Sequence, residues 1–352
     1  MMGHFKLIKI KVERKIFLPL FFCNNMLNLY RGGNNMKFMI TKELTTEIKG
    51  IAILMVIIGH ISSVYGESVL NYIGSFGVAL FLFISGYGLA MSYNKNGLKD
   101  FFKKRFINIF IPYVAITTIW IIVDLIKGVV YPFKTYVLLL IGFDYNRTID
   151  ATMWYISFII LWYIVFYLVF KNVNKNFFKV IILFMISFIF FIFKKSDIMI
   201  DFSWQWSLHA FTFSIGVASA LYLKNMMDLR RILVLNITSL IFIVFLLNKI
   251  HESTYIQMSM NILITAFVIT LEIIKSNKIK HSKGLCLAGK YSYELYLLEG
   301  YLTRIFSLDN RIIALIIYII TLILLSYIIK KVFNIFFRKT IIKKQDIEII
   351  PL

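Results

Sequence analysis

The sequence predicts an all-α, polytopic membrane protein with about ten transmembrane helices and both termini cytoplasmic. Three observations carry that expectation. The 352 residues are 59% hydrophobic and only 16% charged, where a soluble domain of this size holds about a quarter charged residues. Mean hydropathy is +0.78. Apolar runs of about twenty residues, the length that crosses a bilayer as a helix, recur along nearly the whole chain.

The formal charge of +21 invites a nucleic-acid reading, but the distribution of the cations argues against one. Lys and Arg fall in alternate loops, as the positive-inside rule expects of a membrane protein. Cys23 and Cys286 are the only two cysteines. They offer neither the spacing of a metal site nor a disulfide framework, and no metal is expected.

Residues 1–35 contain the basic segment Lys6 to Lys15 and a short apolar run, Ile16 to Cys23. That run is too short to span, and no small-residue cleavage site follows it. The segment reads as an upstream extension or a disordered N-terminus, with translation starting at Met36. Residues 36–340 form a single membrane-embedded domain, and 341–352 a cytoplasmic tail.

The first span, 48–65, lies in Glu47-Ile-Lys-Gly-Ile-Ala-Ile-Leu-Met-Val-Ile-Ile-Gly-His60. Lys49 and His60 are eleven positions apart, about three helical turns plus 20°, so they share one face about 16 Å apart. A lysine at a membrane surface is commonly a snorkelling anchor. An imidazole in the apolar layer is costly, and two readings stay open for it: a histidine satisfied within the bundle, or a base near neutral pH.

The second span, 73–93, is rich in glycine and aromatic residues. Ser85, Gly86 and Gly88 suit close helix packing. Lys95, Lys99, Lys103, Lys104 and Arg105 then mark an inner loop. The third span, 107–126, ends near Asp124. The connection 127–152 holds a short apolar piece, Tyr136 to Phe143, that is re-entrant or interfacial because eight residues cannot cross. Asp124, Asp144, Arg147 and Asp150 are available there to recognise a glycan, but ordinary loop solvation is the preferred account of them.

Further spans follow at 153–170, 177–193, 205–223, 232–248, 255–274, 286–305 and 311–330. The sixth begins with Trp204, Gln205, Trp206 and His209, which read as interfacial belt anchors or as a stacking platform for an acceptor. Asn261 sits mid-span and is expected to hydrogen-bond between helices. Cationic loops after the even-numbered spans place Lys49 on the cytoplasmic side and His60 more than halfway toward the outer face.

Several motifs extend this picture. Gly77-Val-Ala-Leu-Phe-Leu-Phe-Ile-Ser85-Gly86-Tyr87-Gly88 is followed by Lys103-Lys-Arg105-Phe-Ile-Asn-Ile-Phe-Ile-Pro112-Tyr113. Met153-Trp154-Tyr155-Ile156 opens the fourth span, and Gly289-Lys-Tyr-Ser-Tyr-Glu-Leu-Tyr-Leu-Leu298 lies in the ninth. In order and spacing, with the Lys49–His60 register, these resemble the integral-membrane acyltransferase-3 family from about Lys42 to Phe333. Trp154 resembles the Trp-Phe-Leu branch; Ile159 stands where the Trp-Ser-Leu branch has a glutamate.

The resemblance implies transfer of an acyl group, usually acetyl, from cytoplasmic acyl-CoA to a hydroxyl of a cell-envelope or lipid-linked glycan. It implies a multi-pass protein of the bacterial cytoplasmic membrane, with His60 as general base or transient acyl carrier. Lys49 and Arg105 become candidates for the phosphates of acetyl-CoA, and Trp154, Glu299 and Tyr87 for substrate or supporting roles. Two departures stand out. Asn108 replaces a second arginine after Arg105, and Glu299 replaces a histidine at the end of the C-terminal motif. Glu299 is available to orient His60, to bind a sugar hydroxyl, or to pair with Arg304. Membrane lipids, an envelope-synthesis protein or a second copy of the chain are the compatible associates. The alternative reading is a transporter or flippase for a lipid-linked glycan, which would use the same polar interior without consuming an acyl donor.

Overall fold

The computed structural model describes residues 39–64, 70–143, 148–150, 152–192, 203–223, 229–247, 249, 253–276, 279–305 and 311–341. Asp144, Arg147, Cys23 and the Met36 start lie outside these residues. The described chain is helical throughout its regular structure. That follows from the solvent: hydrocarbon offers no hydrogen bonds, so apolar segments satisfy their backbone within one helix.

Helix α1 is Lys42–Val64 and α2 is Asn71–Asn96. The third expected span divides into α3 (Phe101–Arg105), a π-helical turn (Phe106–Phe110) and α4 (Ile111–Ile126). Then come α5 (Phe133–Ile141), α6 (Trp154–Asn172) and α7 (Asn176–Ile192). Helices α8 (Ser203–His209), α9 (Thr212–Tyr222), α10 (Leu229–Leu247) and α11 (Thr254–Ser276) follow. The series closes with α12 (Lys283–Lys290), α13 (Ser292–Ile305) and α14 (Arg311–Ile341).

Among the described residues six helices are long and apolar enough to cross a membrane: Lys42–Ser63, Tyr72–Asn96, Phe101–Ile126, Trp154–Asn172, Thr254–Ser276 and Ile312–Ile335. Asn176–Ile192 and Val234–Leu246 are shorter apolar helices. Two expected spans are interrupted, which corrects their reading as continuous helices. The sixth breaks at Ala210 and Phe211 between α8 and α9, and the ninth at Tyr291 between α12 and α13. Between α4 and α6, the nine residues of α5 are too few to cross the apolar layer.

The π turn has a local cause. Pro112 has no N–H and cannot continue an ordinary helical ladder. The ladder widens instead, with the Ile111 N–H bonding to the Phe106 carbonyl. The Tyr293 hydroxyl donates to the Ile109 carbonyl at 2.7 Å, which ties the basic motif on α3 to the start of α13.

Close glycine contacts set the centre. A methyl group built at Gly86 would overlap the Phe213 carbonyl, and one at Gly216 would overlap the Phe83 carbonyl, so α2 and α9 cross at a reciprocal glycine pair. Gly50 faces the Leu285 carbonyl and Gly289 the Thr46 carbonyl in the same manner, which locks α12 onto α1. Such backbone approach is how helices associate where the hydrophobic effect gives no drive. Gly88, expected to share that role, has open space where a side chain would stand. The apolar faces of α7, α10 and α14 are exposed at residues such as Phe188, Ile241 and Ile320, as lipid contact requires.

The bundle has two chemically distinct ends. Glu47, Lys49, Arg105, Lys275, His281, Lys290 and Lys330 gather at one. Glu47, only 1% exposed, accepts from Lys275 Nζ at 2.7 Å, from the Ser282 N–H at 2.9 Å and pairs with His281 Nδ1 at 2.5 Å. At the other end lie Asp124, Asp150, Glu299 and His60.

The crossing geometry makes a paired prediction. Gly86→Ala or Gly216→Ala should lower the thermal midpoint of the detergent-solubilised protein by overpacking, a loss of about 1–3 kcal/mol or more. Gly88→Ala should leave it unchanged or raise it slightly, because alanine is the better helix former by about 0.5–1 kcal/mol. Fluorescence-detected size exclusion after heating reads both.

Candidate functional site

The site is built on α1 and α13. His60 Nδ1 and Glu299 Oε1 are 2.7 Å apart. The Glu299 side chain is fully buried, while His60 keeps 31% of its side-chain surface accessible. An ionised carboxylate only accepts, so a neutral imidazole facing one donates through Nδ1–H and leaves Nε2 as a lone-pair acceptor. The second Glu299 oxygen, Oε2, is buried and has no hydrogen-bond partner. Arg304 does not reach Glu299; its Nη1 donates to the Thr148 and Ile149 carbonyls at 3.3 Å each.

That arginine helps to press Asp150 against α13. The Tyr296 hydroxyl donates to the Thr152 carbonyl at 2.5 Å, and Asp150 Oδ1 accepts from the Thr152 N–H and hydroxyl at 2.8 and 2.7 Å. A methyl group at Gly300 would overlap the Asp150 carboxylate. Tyr296, Gly300 and Arg304 follow at intervals of four and form one helix stripe. The stripe holds the 148–152 segment, and Glu299 lies one position away. Asp150 is 5% exposed, and its Oδ2 is buried without a partner. Burial and the nearby Glu299 carboxylate push its pKa up to about 6.

Asp124 is also buried, between two tyrosines. The Tyr301 and Tyr131 hydroxyls donate to its two oxygens at 2.6 and 2.7 Å, and Trp120 stacks on Tyr301 with ring centroids 4.1 Å apart. The loop-solvation reading of Asp124 and Asp150 is therefore corrected, because tyrosine hydroxyls and backbone donors draw both inside.

The reading of His209 and Trp206 as belt anchors is corrected as well. The helix break turns them inward, and His209 is 0% and Trp206 2% exposed. Ser75 Oγ donates to Asn261 Oδ1 at 3.0 Å and lies 3.3 Å from His209 Nε2. Asn261 Nδ2 donates to the Leu208 carbonyl at 3.1 Å and lies 3.5 Å from His209 Nδ1. With the serine proton committed to Asn261, His209 carries its hydrogen on Nε2 and is neutral. Asn261 thus bonds between helices, as expected. Trp154 stacks on His209 with centroids 5.5 Å apart.

At the basic end, Lys49 is 8% exposed, which corrects the snorkelling reading. Lys330, close enough to repel it, itself pairs with Glu294 at 3.0 Å. Arg105 lies over the Phe101 ring, 4.3 Å from its centroid, and its Nε is buried without a partner. Between the ends run Tyr155, Tyr163 and Tyr293, with Ser85 in hydrogen-bonding reach of the first two phenols. Tyr87 stands apart from His60; its hydroxyl oxygen accepts the Ile40 N–H at 3.2 Å, before the start of α1.

A histidine–carboxylate pair thus lies at one end and a group of cations at the other. The model of the family described as acyltransferase domain, acyltransferase-3, matches residues 48–331. The chain belongs to this family. It is an acyltransferase of the multi-pass membrane type, and the match takes in every helix from α1 into α14. No curated protein and no solved structure matches the chain.

Sequence reasoning passed over the Tyr296–Gly300–Arg304 stripe, Ser75 and Glu47. A signal for the first was present, since small, aromatic and basic residues at four-residue intervals mark a helix face made to hold something.

Burial of Asp150 gives a pH-dependent prediction. Its carboxyl titrates near 3.8 in an unfolded chain and near 6 in the fold. The charged form is therefore penalised only when folded, and stability falls as pH rises through that window. Asp150→Asn removes the penalty and keeps the Thr152 bonds. The variant should exceed wild type in thermal midpoint at pH 7.5, by on the order of 1–3 kcal/mol, with the difference shrinking toward pH 4.

Proposed function

We propose that the protein is an O-acyltransferase that moves acetyl from cytoplasmic acetyl-CoA to a hydroxyl of a cell-envelope or lipid-linked glycan. The observation that carries this reading is the His60–Glu299 pair, with Nε2 of an accessible imidazole left open. In this reading the chain has about ten spans, both termini are cytoplasmic, and the membrane is the bacterial cytoplasmic membrane. Lys49 and Arg105 then face the donor compartment and His60 lies toward the acceptor.

The chemistry needs few groups. Glu299 fixes the imidazole tautomer and stabilises the imidazolium that forms. The acceptor hydroxyl gives its proton to His60 Nε2 as its oxygen attacks the thioester carbonyl carbon. The tetrahedral intermediate collapses by breaking the carbon–sulfur bond, and the departing thiolate takes the proton back from Nε2. Atoms and charge balance without a further reactant. A two-step route would place the acetyl group on the same nitrogen first, and a burst of coenzyme A release without acceptor would distinguish it.

Lys49 and Arg105 suit the phosphates of coenzyme A. Arg105 has a buried Nε without a partner, Lys49 is a buried cation, and charge-assisted bonds to phosphate are strong. Lys49 and His60 are eleven residues apart, about 16 Å along the helix, a separation for the pantetheine arm between phosphates and thioester to cover. Trp154 presents a ring beside the acceptor end, and Tyr87 supports the entry to α1.

Membranes carrying the wild-type chain should transfer radiolabelled acetyl from acetyl-CoA to envelope glycan. His60→Ala, folded and expressed, should lose about 10²–10⁴-fold of that rate. Full activity in this variant would overturn the assignment, and glycan translocation without donor consumption would favour the transporter reading. Lys49→Ala should raise the acetyl-CoA concentration for half-maximal rate about tenfold, the loss of one charge-assisted bond, with turnover retained.

A further inference from the structure

We propose that Asp150 and Glu299 form a two-carboxylate cradle beside His60 that selects an acceptor with adjacent hydroxyls, a vicinal diol of a sugar. This rests on the acyltransferase reading above and narrows its substrate class.

The geometry starts from two oxygens. Glu299 Oε2 and Asp150 Oδ2 are both buried and lack a hydrogen-bond partner, on side chains 0% and 5% exposed. An ionised carboxylate oxygen left without a donor inside a protein is destabilising by more than a neutral group. The fold nevertheless does considerable work to keep Asp150 there. Tyr296 and Arg304 hold the backbone on either side of it, Thr152 occupies only Oδ1, and Gly300 leaves room for the carboxylate against α13.

Asp150 lies close enough to both Glu299 and His60 for their charges to interact. His60 Nε2 takes the proton of the hydroxyl that is acylated, while Oε2 and Oδ2 accept only from donors that a ligand supplies. Among the described residues no three His, Cys, Asp or Glu side chains converge closely enough to hold a metal ion. Two carboxylate oxygens without donors suit a ligand with several O–H groups of its own. Neighbouring hydroxyls on a pyranose ring provide them, one for the base and the next for a carboxylate. An isolated alcohol would leave both oxygens unmet, and a site built on such bonds rejects the analogue that lacks them.

The test uses the full-length protein in its membranes, acetyl-CoA, and envelope glycan from the same cells de-O-acylated with mild alkali. Part of that glycan is oxidised with periodate, which cleaves vicinal diols, and then reduced. Wild type should acetylate the intact glycan and lose about 10- to 100-fold in rate on the oxidised one, the loss of a hydrogen bond to a charged group. Asp150→Asn should raise the glycan concentration for half-maximal rate by a similar factor and leave that for acetyl-CoA within about twofold. A purely structural residue would not split the two constants in this way.

Undiminished transfer to oxidised glycan overturns the inference, and this arm needs no variant. Asp150→Asn with unchanged acceptor dependence also overturns it. Absence of transfer to any glycan by wild type removes the acyltransferase reading itself, whereas His60-dependent transfer that is indifferent to periodate removes only the diol.

Discussion

A carboxylate taken into an apolar interior must be given a proton donor there, and the fold answers that constraint at Glu299. The donor is His60, 239 positions away in sequence. The first helix must therefore lie against the next-to-last, and this in turn fixes the centre of the bundle. Gly50 and Gly289 let α1 and α12 touch backbone to backbone, and the break at Tyr291 then redirects the chain so that α13 returns along α1. If the break were absent, a straight ninth helix would carry Glu299 on the line set by the Gly289 contact. Separate helices α12 and α13 allow one to seal the basic end and the other to aim its carboxylate.

Helix α13 also joins the two ends of the molecule. Its first turn carries Glu294, paired with Lys330, and Tyr293, which reaches the π turn beyond Arg105. Its later turns carry Tyr296, Gly300 and Arg304 against the segment around Asp150, Glu299 against His60, and Tyr301 against Asp124. Movement of this helix would disturb the neighbourhood of Arg105 and the setting of His60 together. In the proposed reading, that coupling links the place where the donor binds to the place where it reacts.

Much of this was legible in the sequence for physical reasons. Hydrophobic length marked the six long apolar helices, because a bilayer imposes that length on any helix that crosses it. The eleven-residue register placed Lys49 and His60 on one face without reference to tertiary structure. What stayed hidden depends on contacts between distant segments. Asp150 looks like a solvated loop acid until Thr152, Tyr296 and Arg304 are seen to draw it in. His209 looks like an interfacial anchor because hydropathy does not register the break at Ala210. Gly88 and Gly86 are indistinguishable in sequence, two positions apart, yet one meets the Phe213 carbonyl and the other meets nothing.

The distribution of unmet polar atoms gives the last step. Most buried polar groups in a folded protein find a partner, and those that do not ask for an explanation. Among the described residues, three charged side chains hold such an atom: Arg105 at Nε, Asp150 at Oδ2 and Glu299 at Oε2. One is at the basic end, and the other two are at the end that holds His60. Glu47, by contrast, is fully partnered by Lys275, His281 and Ser282. A fold that can complete such a network around Glu47 has the means to complete one around Glu299. In the proposed reading, the partners that these three charged side chains lack are the substrates.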